Sequence, residues 1–155
     1  MKTMILTIFL IISYSALLFP QIPSDRDALL KGLEGDNGKT AEMNKYPSPK
    51  DLLELATTLD LSSVQKSRLI EIRDNTISRA KQLGKEIVQI ENELHQAFQA
   101  RIINEKSCTD DAQQIGRLRG RLRAVFLTSH IRAKAVLNDS QVSMYRKIQG
   151  DGKNK

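Results

Sequence analysis

Two stretches decide how this chain folds: Leu61-Ser62-Ser63-Val64-Gln65 and its echo, Leu137-Asn138-Asp139-Ser140-Gln141. Each reads Leu, a small polar residue, two variable residues and Gln. A small polar residue three places before Gln, ahead of an amphipathic run, is the capping-box arrangement. The Ser62 or Asn138 side chain accepts a hydrogen bond from a backbone N–H of the first turn, and Gln65 or Gln141 reaches back to the cap's own N–H. The chain therefore announces two helix starts with nearly the same device.

Working outward from Ser62, Leu69, Ile72, Thr76, Ala80, Leu83, Ile87, Ile90, Leu94 and Ala97 recur at spacings of three and four. That is a narrow apolar stripe close to a coiled-coil seam. Ile70, Ile77, Val88 and Phe98 widen it, Gly84 marks a bend, and the helix is expected to fade near Asn104. Ser107-Cys108-Thr109-Asp110-Asp111 reads as the turn and the next cap, with the acids at the helix start. Ile115, Leu118, Leu122, Val125, Ser129, Ala133 and Val136 then repeat the stripe up to Asn138. Gly116 and Gly120 would let a neighbouring helix approach closely. Val142, Tyr145 and Ile148 form the buried edge of the last helix, and Gly150 stops it. Before the first motif, Ser48-Pro49 reads as an N-cap followed by Pro at the first helical position. It opens a short helix to about Leu59.

The expected fold is all-α: a long antiparallel helical hairpin flanked by two short helices. At 1.5 Å per residue its arms are roughly 60 and 40 Å long. A hairpin so thin cannot bury both apolar faces within one chain, so a homodimer is expected.

Composition agrees. In 155 residues there is no Trp, aromatic residues make up 5%, and Leu, Ile, Gln, Lys, Arg and Glu favour helix. Residues 1–24 read as a signal peptide, with Lys2 leading a largely apolar run from Met4 to Phe19. An uncleaved anchor is the alternative, because the run is only slightly shorter than the roughly 20 residues that span a bilayer. Residues 25–46, with Gly32, Gly35 and Gly38 among charges, read as a flexible leader. The helical domain covers 47–150, and 151–155 is a polar tail. The formal charge is +6, one unit of it from Lys2. That excess attracts anionic surfaces without identifying one. The single cysteine, Cys108, has no internal partner; it is a lone thiol or pairs with a second chain.

An exported, all-helical chain with two L-[S/T/N]-x-x-Q motifs bracketing a hairpin resembles the LTxxQ-motif family over roughly residues 48–149. That family includes the Spy/CpxP-like periplasmic chaperones and related heavy-metal sensor and resistance proteins. Both motifs here depart from the family's usual Thr, with Ser62 in the first and Asn138 in the second. The resemblance implies a cradle-shaped dimer in the periplasm of a Gram-negative-type bacterium. It would bind unfolded or partly folded clients without ATP, in envelope stress, on a surface mixing apolar and basic residues. Arg117, Leu118, Arg121 and Leu122 are the candidate client-binding residues. The other reading of these arginines is a solvated helix face with the leucines in the core.

The alternative function is a periplasmic metal-responsive sensor or resistance protein of the same family. Its candidate ligands are His95 and His130. With the turn near Lys106 they are separated by roughly 20 Å along the helix axes, too far to share a metal within one chain. No cofactor is therefore expected. Catalysis is not expected either: the sequence offers no phosphate loop, and Glu91 and Glu93 do not share a helix face. Export and the lack of aromatics among the arginines argue against nucleic acid. Docking on the sensor domain of a membrane histidine kinase would use the same face as client binding, and membrane contact is expected only through an uncleaved N-terminus.

Overall fold

A computed structural model describes residues 23–151. The expected signal peptide lies almost wholly outside the described residues, as does 152–155 of the expected tail. The described chain forms six α-helices: α1 (Arg26–Lys31), α2 (Lys39–Met43), α3 (Pro49–Glu54), α4 (Ser63–Gln99), α5 (Glu105–Lys134) and α6 (Asp139–Asp151). A 3-10 turn, Gly35–Gly38, joins α1 to α2. There is no strand among the described residues, so the chain is all-helical as expected. No helix among them is long and apolar enough to cross a membrane.

Helix starts follow capping chemistry. Ser48 Oγ accepts from the Asp51 N–H at 3.1 Å, the Asp51 carboxylate accepts from the Ser48 N–H at 3.2 Å, and Pro49 occupies the first helical position. Ser62 with Gln65 starts α4 at 3.2 and 3.0 Å, and Asn138 with Gln141 starts α6 at 2.9 and 3.0 Å. A fourth box was not expected. Asn104 Oδ1 accepts from the Ser107 N–H at 3.0 Å, and Ser107 Oγ closes the box.

That fourth box corrects the position of the turn. The connection is 100–104 rather than Ser107–Asp111, and α5 begins at Glu105. Asp110 and Asp111 are inside α5, where Asp110 pairs with Lys106 at 2.5 Å one turn away. Helix α4 stops early because Arg101 adopts the left-handed conformation (φ 56). The Ile102 N–H then bonds the Ala97 carbonyl at 3.1 Å and the Arg101 N–H that of Phe98 at 3.1 Å, a Schellman closure. Gly150 does not stop α6, which continues to Asp151.

The two stripes pack on each other. Ala80, Leu83, Ile87, Val88 and Ile90 of α4 form one buried cluster with Ile115, Leu118, Leu122 and Phe126 of α5. Glu91 of α4 pairs with Arg119 of α5 at 3.6 Å, and Gln65 bonds the carbonyl of Val136, just past the end of α5, at 2.9 Å. A second cluster joins Leu52, Leu59, Leu61, Leu69, Ala133 and Tyr145, where α3 and α6 cover the helix ends. Tyr145 is buried there, and desolvation, with Asp51 and Glu42 nearby, pushes its phenol up to about 12.

Residues 25–46 are not a flexible leader. They fold as α1, the 3-10 turn and α2 across α4 and α5, and Leu29 enters the first core cluster. Gly84 makes that approach possible: a Cβ there would overlap the backbone carbonyl of Leu29. The glycine read as a bend is thus a docking point for α1.

Candidate functional site: a clasped helix end and an arginine groove

The two motifs that open α4 and α6 meet each other. Gln65 Nε2 donates to Gln141 Oε1 at 2.8 Å and to the Val136 carbonyl at 2.9 Å. Gln141 Nε2 lies 3.2 Å from Gln65 Oε1 and donates to the Leu59 carbonyl at 3.1 Å, with the Asp60 carbonyl at 3.4 Å. Each carboxamide also accepts from its own cap's N–H. The pair is therefore a clasp, in which two capping boxes share side-chain amides. Leu61, ahead of the first cap, is buried in the second cluster and Leu137 packs against it. All six motif residues, Leu61, Ser62, Gln65, Leu137, Asn138 and Gln141, take part in holding this end together.

Most of the arginines lie on α4 and α5, and the fold sorts them by partner. Arg119 grips both carboxylate oxygens of Asp25, at 2.8 and 3.2 Å. That hydrogen bond holds the Asp25 carboxyl below its usual range, and burial raises it only in part. Arg123 donates to Thr40 at 3.0 Å, Arg68 pairs with Glu71 and Arg73 with Asp74. Arg79, Arg121 and Arg132 have no such partner among the described residues. They line a groove between α4 and α5 with Asn75, Gln82 and Thr128, over a floor of Leu83 and Val125. The groove encloses about 550 Å³ and continues past Asn75 and Arg132 into a second hollow of about 480 Å³.

The candidate client-binding residues divide accordingly. Arg121 lines the groove and Arg117 is exposed. Leu118 and Leu122 are core residues and present no surface to a partner. Arg79, on α4, stands apart from the 117–123 arginine run and was not expected here, whereas Arg132 reads from the sequence as a further basic residue beyond that run. Helical spacing was the available signal, since 121 and 132 are eleven residues apart and fall on one face of α5.

His130 is fully buried. Its Nε2 is 2.7 Å from Glu34 Oε1 and its Nδ1 is 2.9 Å from the Tyr46 carbonyl oxygen. Both ring nitrogens are thus engaged, which leaves none to a metal in this arrangement. Burial opposes the positive charge on His130, but hydrogen bonds to Glu34 and Tyr46 and the charges of Glu34 and Asp51 outweigh it, so the ring titrates above its usual range. His95 is half-buried near the other end of α4. With the turn at 100–104, the two histidines are roughly 30 Å apart along the helices. Among the described residues, no group of three or more His, Cys, Asp or Glu side chains is arranged to hold a metal ion. Cys108 is a free, half-buried thiol in the first turn of α5.

Compared with protein-family models, with curated proteins and with solved structures, the chain shows no match.

Proposed function

We propose that this chain is an exported, ATP-independent chaperone of the LTxxQ type, acting on unfolded or partly folded clients in the bacterial periplasm. The observation that carries the reading is the groove. Arg79, Arg121 and Arg132 border it without carboxylate partners among the described residues, and Leu83 and Val125 lie at its floor. Charges of one sign beside a shallow apolar floor attract polypeptides at long range and hold them weakly. A binder that must release its clients without ATP needs that balance.

The working form is a homodimer of antiparallel helical hairpins. Ala112, Gly116, Gly120 and Ala124 follow one another at four-residue spacing on α5 and are exposed. Among the described residues, nothing approaches a Cβ built on either glycine. The close helix approach expected at these glycines is therefore assigned to a second copy, which would border the groove and deepen it into a cradle.

The test is suppression of aggregation of a chemically denatured client at stoichiometric amounts. The wild-type chain is expected to suppress it, less well as salt is raised. The R79E/R121E/R132E variant should lose at least about tenfold in effectiveness, because it turns attraction into repulsion at the groove. No suppression by the wild type would overturn the chaperone reading. Full suppression by the variant would remove the groove from it.

A further inference from the structure

Residues 25–46 are fastened along one stripe of α5. Asp25 is held by Arg119, Thr40 by Arg123, Glu34 and the Tyr46 carbonyl by His130, and the Tyr46 ring lies under the Lys134 ammonium at 4.4 Å. Phe126 sits in the middle of that stripe and is buried. On α4 the same segment passes over Gly84, and Leu29 joins Val88, Leu122 and Phe126 in the core. The cover therefore turns the carboxylates of Asp25 and Glu34 and the side chain of Leu29 toward a basic and apolar face.

Its central fastening depends on protonation. The two groups facing the His130 ring nitrogens, a carboxylate and a carbonyl, are both acceptors. A neutral imidazole has one N–H, so one of these short contacts would set acceptor against acceptor. Only the imidazolium donates to both. The surrounding charges favour it. Glu34 precedes the 3-10 turn, and Asp51 of α3 adds a second negative charge. On α5, Lys134 is turned to the Tyr46 ring and Arg123 to Thr40, while Glu42 of α2 is paired with Lys39. Gly38 leaves room for the pair, since a Cβ there would overlap the Glu34 carboxylate and come within 2.8 Å of His130 Nε2.

We propose that residues 25–46 are an internal pseudo-client: a cover fastened by protonated His130 to Glu34, released as pH rises, over a face of α4 and α5 that then takes polypeptide segments combining apolar and acidic residues. The chemistry of the occupant is read from the cover, which places Leu29 and Ala41 inward and Asp25 and Glu34 on basic side chains. The sign follows from linkage. A histidine whose folded value is raised stabilises the closed form fully below its ordinary value of about 6.5, and that contribution is lost as pH climbs through the raised value. The release itself is independent of the chaperone reading; the nature of the occupant rests on it.

Hydrogen exchange by mass spectrometry, corrected for intrinsic rates, reads the release directly between about pH 6 and about pH 9. Protection of the amides in α1 and α2 should fall at least about tenfold while the cores of α4 and α5 stay protected. In Glu34→Gln the fall should begin at lower pH, and in His130→Gln the cover should be open throughout. Gly84→Ala lifts α1 sterically with His130 intact and should also open at both pH values. With the groove disabled by R79A/R121A/R132A, a fluorescent peptide of alternating Leu and Glu should bind only at the higher pH, and with Gly84→Ala added at both, and a Leu–Lys peptide should bind neither. Unchanged protection of α1 and α2 in the wild type across this range overturns the release. Release without Leu–Glu binding overturns the pseudo-client assignment. If aggregation suppression survives either result, the groove reading stands by itself.

Discussion

At the scale of single residues, Gln141 carries more than Gln65. Both complete a capping box, but Gln141 is buried at 8% exposure and its amide also satisfies the Leu59 carbonyl. Truncation leaves that buried acceptor and the Asn138 N–H without partners, and unsatisfied buried groups cost about 1–3 kcal/mol each. Gln141→Ala should therefore destabilise by about 2–3 kcal/mol and Gln65→Ala by about 1 kcal/mol, measured by urea denaturation with unchanged m value. Gln141→Glu gives a sharper test. Its carboxylate would face the Leu59 carbonyl and Gln65 Oε1 as acceptors, so its pKa must rise. Such a group destabilises the fold near neutrality, and stability should recover as pH falls and the acid protonates. Both glutamines were legible in the sequence as partners of their caps. That their amides bind each other was not, because a capping box is a local pattern and the clasp is a long-range contact.

At the scale of elements, starts were more legible than stops. Ser48, Ser62 and Asn138 cap where their side chains allow. The stops were hidden because three Schellman-type closures turn on Lys45, Asp60 and Arg101, all at positive φ, rather than on glycine. Gly84, Gly116, Gly120 and Gly150 lie inside helices instead. A reading that looks for glycine at helix ends therefore carries α4 past Arg101 and puts the turn too late. Holding a side chain in the left-handed region costs about 1 kcal/mol. Arg101→Gly should consequently stabilise the chain by about 0.5–1 kcal/mol, visible as a higher thermal midpoint with no change in helix content. The buried arcs carry a further signal. Ile77 and Val88 widen the α4 stripe, and Phe126 and His130 lie beside that of α5. A second apolar arc implies a second partner, and α1 with α2 is that partner.

For the whole molecule, the all-helical class was legible from composition and periodicity, whereas the packing of 25–46 was not. Its Gly-rich, charged composition matches a linker, and its burial depends on a glycine and a histidine on distant helices. If the exposed stripe of α5 is the contact between copies, sedimentation at micromolar concentration should give twice the chain mass, and Gly120→Leu should shift it to the monomer. A monomeric wild type would sink the cradle. The clasp has one more implication. With a single cysteine the chain cannot close a covalent loop, yet Gln65 and Gln141 tie together positions 76 residues apart. They form a non-covalent crosslink, and closing so long a loop carries an entropy cost that neighbouring packing must offset. Unlike a disulfide, this crosslink is indifferent to thiol reductants and oxidants. Its weakness is chemical ageing, since deamidation of either glutamine replaces a shared donor with a negative charge. An acidic side chain at either position should thus loosen the fold in reducing and oxidising buffer alike.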